Sequence, residues 1–202
     1  MITRLKLSTI EQGLPKYRSM LAGNAAYVPS SYESIATLTA AGGETSLSFT
    51  SIPATYQHLQ IRGIYKDSYA TASYGEMWVR FNNDSGTNYS YHDLLGNGAT
   101  VSAAGNSTQG QMILQASSVN GVASTFGVVL MDIHDYASTS KYKTLRSMQG
   151  ADRNSTATNP SAVCLTSGLW QSTTAVNRVD LIRGTTSFAA GSTFALYGIK
   201  GA

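Results

Sequence analysis

Apolar residues recur at every second position over short stretches of this chain, and that period restricts the backbone more than any other feature. In "HLQIRGIY", Leu59, Ile61, Gly63 and Tyr65 fall on one side, with Gln60 and Arg62 on the other. In "EMWVRF", Met77, Val79 and Phe81 oppose Trp78 and Arg80. "SIATLT" sets Ile35, Thr37 and Thr39 against Ala36 and Leu38, and "SLSF" puts Leu47 and Phe49 together. Successive side chains alternate sides only on an extended strand, so these segments predict strands with one buried face. "QMILQA" and "TFGVVLMDIHDY" are more continuously apolar and read as deeply buried strands. "YKTLRSM", "AVCLTSGLW", "VNRVDLIR" and "STFALYGIK" complete a set of roughly ten.

The separators carry turn chemistry. "AAGGE", "SIPATY", "NNDSGTN", "GNG", "AAGNSTQG", "VNGV", "YASTSK", "ADRNSTATNP", "RGTT" and "AAGS" supply Gly and Asn for positive φ, and Ser and Asp to bond nearby backbone. No stretch of a dozen residues shows a persuasive period of 3.6. Closely spaced strands without intervening helices predict an all-β, antiparallel β-sandwich of jelly-roll type. The composition agrees: 26 Ser, 22 Thr, 19 Gly and 12 Tyr, with only 12% charged residues.

Residues 1–30 break the pattern. After the briefly alternating "RLKLSTI" come Gly13, Pro15, Gly23 and Pro29, and Leu14, Tyr17, Met20 and Leu21 match neither period. This predicts an extended arm over 1–30 and a β-sandwich over 31–202. Residues 1–18 hold four basic residues against one acidic, a net of +3, whereas the rest of the chain holds ten of each. A neutral body does not suit phosphate binding, so the β domain is expected to bind no nucleic acid. No run approaches a membrane span, and "MITRLKLSTI" lacks a long apolar signal core, so use without Sec export and no membrane partner are expected.

Catalytic and metal chemistry find little support. The single cysteine, Cys164, excludes an internal disulfide and any multi-thiolate metal site. His92 and His134 each precede an aspartate, but at a spacing that matches no metal signature; each pair is expected to end a strand and bond the following turn. "NNDSGTNYS" is rich in oxygen ligands but lacks the spaced acids and terminal Glu of a calcium loop. G-x-S-x-G, P-loop, H-E-x-x-H and C-x-x-C motifs are absent. The expectation is no catalytic residues, no metal and no cofactor. Aromatic residues near turns can stack on sugars, which makes Tyr89, Tyr91 and Trp170 candidate glycan contacts; packing at a sandwich end or subunit interface is the alternative.

"GLPKYRSMLAGNAAYVPSSYESIAT", "LSFTSIPATYQHLQIRGI", "NYSYHDLLGNG", "DIHDYASTSKYKTLR" and the closing "FALYGIKGA" together resemble a group of virion proteins of tailed bacteriophages, of fibre or head-decoration type. In that group an "LPK-x-RSMLAGN"-like arm precedes a β-sandwich ending in "LYGIKG". The resemblance implies attachment to a particle rather than catalysis, and a virion location after assembly in the host cytoplasm. The implied partners are other phage virion proteins, further copies in a homo-oligomer, often a trimer, and a host surface glycan. It makes Leu14, Pro15, Tyr17, Arg18 and Met20 the expected docking element. Pro15 would fix a turn, Tyr17 and Met20 would bury, and Arg18 would pair with an acidic or carbonyl-lined site.

Overall fold

The alternating segments become strands because their apolar sides have somewhere to go. The computed structural model describes residues 31–68, 75–115, 124–152 and 161–201. The chain divides into two units, Met1–Ser31 and Tyr32–Ala202. The arm expected over residues 1–30, with Leu14, Pro15, Tyr17, Arg18 and Met20, lies outside the described residues.

Among the described residues of the second unit there are twelve strands and no helix. They are β1 (Tyr32–Thr39), β2 (Ser46–Phe49), β3 (His58–Tyr65), β4 (Met77–Phe81), β5 (Tyr89–Gly96) and β6 (Val101–Gln109). They continue with β7 (Met112–Leu114), β8 (Gly127–His134), β9 (Lys143–Ala151), β10 (Ala162–Trp170), β11 (Val179–Ile182) and β12 (Thr193–Ile199). An eight-stranded sheet runs β1-β12-β3-β8-β9-β10-β5-β6, and a four-stranded sheet runs β2-β11-β4-β7. All named pairings are antiparallel. The fold is an antiparallel β-sandwich, as the alternation requires.

The strand order contains a complete jelly roll. β1-β12-β3-β8 and β2-β11-β4-β7 are its two four-stranded halves, and every kernel connection except β4–β7 passes from one sheet to the other. Two antiparallel pairs are inserted into this kernel. β5–β6 comes between β4 and β7, and β9–β10 between β8 and β11. Both pairs extend the larger sheet past β8, giving the order β8-β9-β10-β5-β6.

One core cluster joins the two sheets. Leu59, Ile61 and Tyr65 of β3, Met77, Val79 and Phe81 of β4, Met131 and Ile133 of β8, Val179 and Leu181 of β11, and Phe194 and Leu196 of β12 are all buried. Each large apolar side chain so placed contributes about 1.5–3 kcal/mol. β7 lies against the inserted strands: a Cβ on Gly168 of β10 would sit 2.4 Å from the Met112 sulfur, so a larger residue there would displace the methionine side chain. The continuous apolar run over β8 misled the burial reading. β8 is buried on one face only, with Val128 53% exposed. The stretch "AAGNSTQG", expected as a turn, instead forms most of β6, a nine-residue strand whose side chains are exposed on both faces except at its last residue.

Candidate interaction surface

The aromatic residues expected to touch a glycan face inward instead. Tyr89, Tyr91 and Trp170 are only 1%, 4% and 2% exposed. Tyr89 and Tyr91 occupy alternate inward positions of β5, and Trp170 is the opposing partner of Tyr89 on β10. The Trp170 ring stacks on Tyr89 with centroids 6.2 Å apart and meets Phe81 edge-on at 5.6 Å. Their polar tips are also used. The Trp170 indole N–H donates to Asp84 Oδ2 at 2.7 Å, and Phe81 N–H donates to the Tyr89 hydroxyl at 3.1 Å. Asn106 donates to the Tyr91 hydroxyl at 2.8 Å. These rings offer no free face for a sugar, and the glycan-contact reading of Tyr89, Tyr91 and Trp170 is corrected: period-two alternation, not nearness to a turn, decides where they point.

The oxygen-rich turn after β4 is consumed in the same way. Asp84 accepts from Gly86 N–H at 2.8 Å and from Asn88 Nδ2 at 2.9 Å, besides Trp170. Burial opposes its charge, yet the donors from Gly86, Asn88 and Trp170 outweigh burial and hold the carboxyl below its ordinary range. Asn82 and Asn83 sit at φ 52° and 57°, which asparagine tolerates. The Asn82 amide oxygen accepts from Asn177 and Arg178 N–H, tying the turn to the approach to β11.

The two His-Asp pairs have different fates. His134 ends β8, and Asp135 begins the following turn, where its carboxylate pairs with Lys141 at 2.7 Å. The His58 Nδ1 accepts from Asp135 N–H at 3.0 Å. His92 and Asp93, in contrast, lie mid-strand in β5 rather than at its end. His92 stands on the outer face over Gly105, while Asp93 points inward and is 6% exposed. β9 and β10 separate β8 from β5, placing the two pairs about 14 Å apart across the sheet. Among the described residues, no group of three or more His, Cys, Asp and Glu side chains is placed to hold a metal ion.

Sequence patterning missed the polar interior of the inserted strands. Asp93, Thr166 and Ser147 form one inward cross-strand row over β5, β10 and β9, and Cys164 and Gln149 stand next to it. All five are buried. Burial raises the Asp93 carboxyl above its ordinary range, partly countered by Thr166, and burial likewise raises the Cys164 thiol. Lys143 is fully buried as well, with its ammonium donating to the carbonyls of Ser138 and Lys141 at 2.7 Å each. Burial lowers its pKa, as expected for a cation held by neutral acceptors. At the opposite end of the body, Arg183 pairs with Asp67 above the Tyr65 and Phe188 rings. Lys143, Arg183 and Asp67 act as internal ties, whereas the Asp93 carboxylate is buried at a cost to the folded state. A signal existed for the inward set of β9, since Thr144, Arg146 and Met148 alternate with its buried residues, but of those only Leu145 is a large apolar one.

What the body presents outward is the far side of the large sheet. One cross-strand row there is Ile64, Val128, Gly150, Val163, Gly96 and Val101, from β3 to β6. The adjoining row is Arg62, Leu130, Met148, Leu165, Leu94 and Ala103. Ile64, Val128, Met148, Val163, Leu165 and Leu94 are each about half exposed. A shallow groove of about 570 Å³ runs along the β3–β10 part of this band. The next row, Gln60, Asp132, Arg146, Ser167 and His92, is polar, and Arg146 pairs with Asp132 at 3.6 Å. At the β3 end the Arg62 guanidinium lies over the Tyr32 and Tyr197 rings, 5.4 and 5.7 Å from their centroids, which closes the apolar band.

Searches against protein-family models, curated proteins and solved structures gave no match for this chain.

Proposed function

We propose that this chain is a non-enzymatic structural protein of a tailed-phage virion. In this reading residues 1–30 anchor it to the particle, and the β-sandwich projects as a fibre or tip component that meets the host surface. The observation that carries the reading is the division of labour in the body. Trp170, Tyr89, Arg183 and Lys143 are spent on internal ties, while the outer face of the large sheet presents half-exposed aliphatic side chains. Such a face suits packing against protein better than turning over a small substrate. The basic, non-alternating arm and its resemblance to virion proteins supply the anchoring half of the proposal.

A second reading, a decoration protein that stabilises the head, draws on the same flat face, which could lie along a capsid lattice. Deleting residues 1–28 tests the shared part: incorporation into particles is expected to be lost while the body still folds. Normal incorporation of the truncated protein would refute the anchor. An antibody to the body separates the versions, because labelling at tail tips supports the fibre and uniform coating of heads supports decoration.

A further inference from the structure

We infer that the outer face of the large sheet, from β3 to β6, is a self-association surface that binds the same face of a second copy of this chain. The inference goes beyond the proposed virion role and needs no particle. Its first support is the apolar band. Two adjoining rows span six strands, and six large aliphatic side chains on them stand about half exposed. A contiguous band of this kind on a protein surface marks a contact site, since isolated exposed aliphatics do not align in register.

The choice of a second copy rests on charge and area. From residue 94 to residue 131 the chain has no Asp, Glu, Lys or Arg, so the β5–β6 half of the face offers a charged partner no ion pair. The polar row beside the band carries Asp132 and Arg146 already paired to each other. An identical surface therefore meets it without repulsion, which a charged partner surface would not exploit. At about 4.8 Å per strand and 3.3 Å per residue, the six strands from β3 to β6, of about eight residues each, present a face of roughly 760 Å². That is close to the ~800 Å² per partner of a standard specific interface. The band would form its apolar centre and the Gln60–His92 row its polar rim. A two-fold axis along the band lays the two rows of one copy on the two rows of the other, the self-matching arrangement a symmetric dimer requires.

β6 supplies the second, independent support. It is the edge of the sheet, and its side chains are exposed on both faces over eight of nine residues. A strand held by one neighbour and packed on neither face is marginal in water. Packing the outer face against a second copy covers Val101 and Ala103 and gives this strand the layer it otherwise lacks.

The test is sedimentation velocity on the purified full chain from 1 to 100 µM. A species of twice the 21.4 kDa chain mass is expected. Met148→Lys with Leu165→Lys should weaken association more than 100-fold; both side chains are about half exposed, so far-UV circular dichroism should be unchanged. Ser102→Lys, on the other side of β6, should leave the dimer intact. A wild-type chain that stays monomeric at 100 µM overturns the inference, as does an oligomer that persists in the double variant or is lost in Ser102→Lys. Particle incorporation plays no part in this readout, so its failure and that of the virion reading are separable.

Discussion

Replacing Trp170 by Phe should destabilise the body by about 3 kcal/mol at neutral pH. The substitution keeps an aromatic ring against Tyr89 and Phe81 but removes the indole N–H that donates to Asp84 at 2.7 Å. A hydrogen bond to a charged group contributes about 1.5–3 kcal/mol. The smaller ring gives up a further amount, about 1 kcal/mol, from lost apolar burial. For a body of this size each kcal/mol moves the melting temperature by about 2–4 °C, so a fall of roughly 6–12 °C is expected. The loss should also depend on pH in a definite direction. Asp84 is held below its ordinary range by Gly86, Asn88 and Trp170 against burial, so its stabilisation is fully present above the unfolded carboxyl value of about 3.9. It is lost as pH falls through the lower folded value. The gap between wild type and variant should therefore narrow by about 1 kcal/mol between pH 7 and pH 2, as the bond to an ionised acceptor becomes an ordinary one. Urea titrations followed by far-UV circular dichroism at several pH values measure this. A variant within about 0.5 kcal/mol of wild type at pH 7, or a gap that does not change with pH, would refute the assignment of Trp170 as a structural donor to a charged Asp84.

Three further outcomes are expected. Gly63→Ala would place a Cβ 2.3 Å from the Phe194 ring and 3.1 Å from Val129, and should cost about 1–3 kcal/mol in a denaturant titration, provided the ring cannot move aside. Asp93→Asn should raise the melting temperature at pH 7. Its folded pKa is raised by burial, so the aspartate costs the folded state stability as pH climbs past the unfolded value, and the benefit of the amide should vanish near pH 3. Cys164, buried with a raised pKa, should react with a disulfide reagent at least 100-fold more slowly in the native protein than in urea; equal rates would contradict its burial.

The two sheets were legible in the sequence where alternation had an apolar side. In β3 the residues expected inward, Leu59, Ile61, Gly63 and Tyr65, are the buried ones, and in β4 so are Met77, Val79 and Phe81. Legibility failed where burial and polarity part company. β6 has no buried face, so Val101–Gln109 carries no alternation to read and its Gly and Asn resemble turn residues. The inward rows of β9 and β10 contain Lys143, Ser147, Gln149 and Thr166, whose burial follows from the insertion and not from hydrophobicity. Tyr89 and Trp170 were read by their nearness to turns, although their inward positions on β5 and β10 carried the answer. The outer apolar band was hidden for a different reason. Val128, Met148, Val163 and Leu165 lie on three strands, β8, β9 and β10, and only strand pairing brings them into rows.

The threading of the last two strands has a consequence for synthesis. β12 lies between β1 and β3, and β11 lies between β2 and β4, so each completes a gap left open by strands made far earlier. Until Val179–Ile199 has left the ribosome, β1 and β2 have no neighbour in either sheet, and one flank of β3 and of β4 is a bare row of backbone donors and acceptors. A ribosome stalled before that stretch would hold a chain with most of its apolar side chains made and neither sheet closed, the species most prone to aggregate or to be removed. The inserted hairpins, β5–β6 and β9–β10, pair locally and can form during that wait. Cells making this protein would then gain most from a chaperone that engages late, as Val179–Ile199 emerges, rather than during synthesis of the first strands.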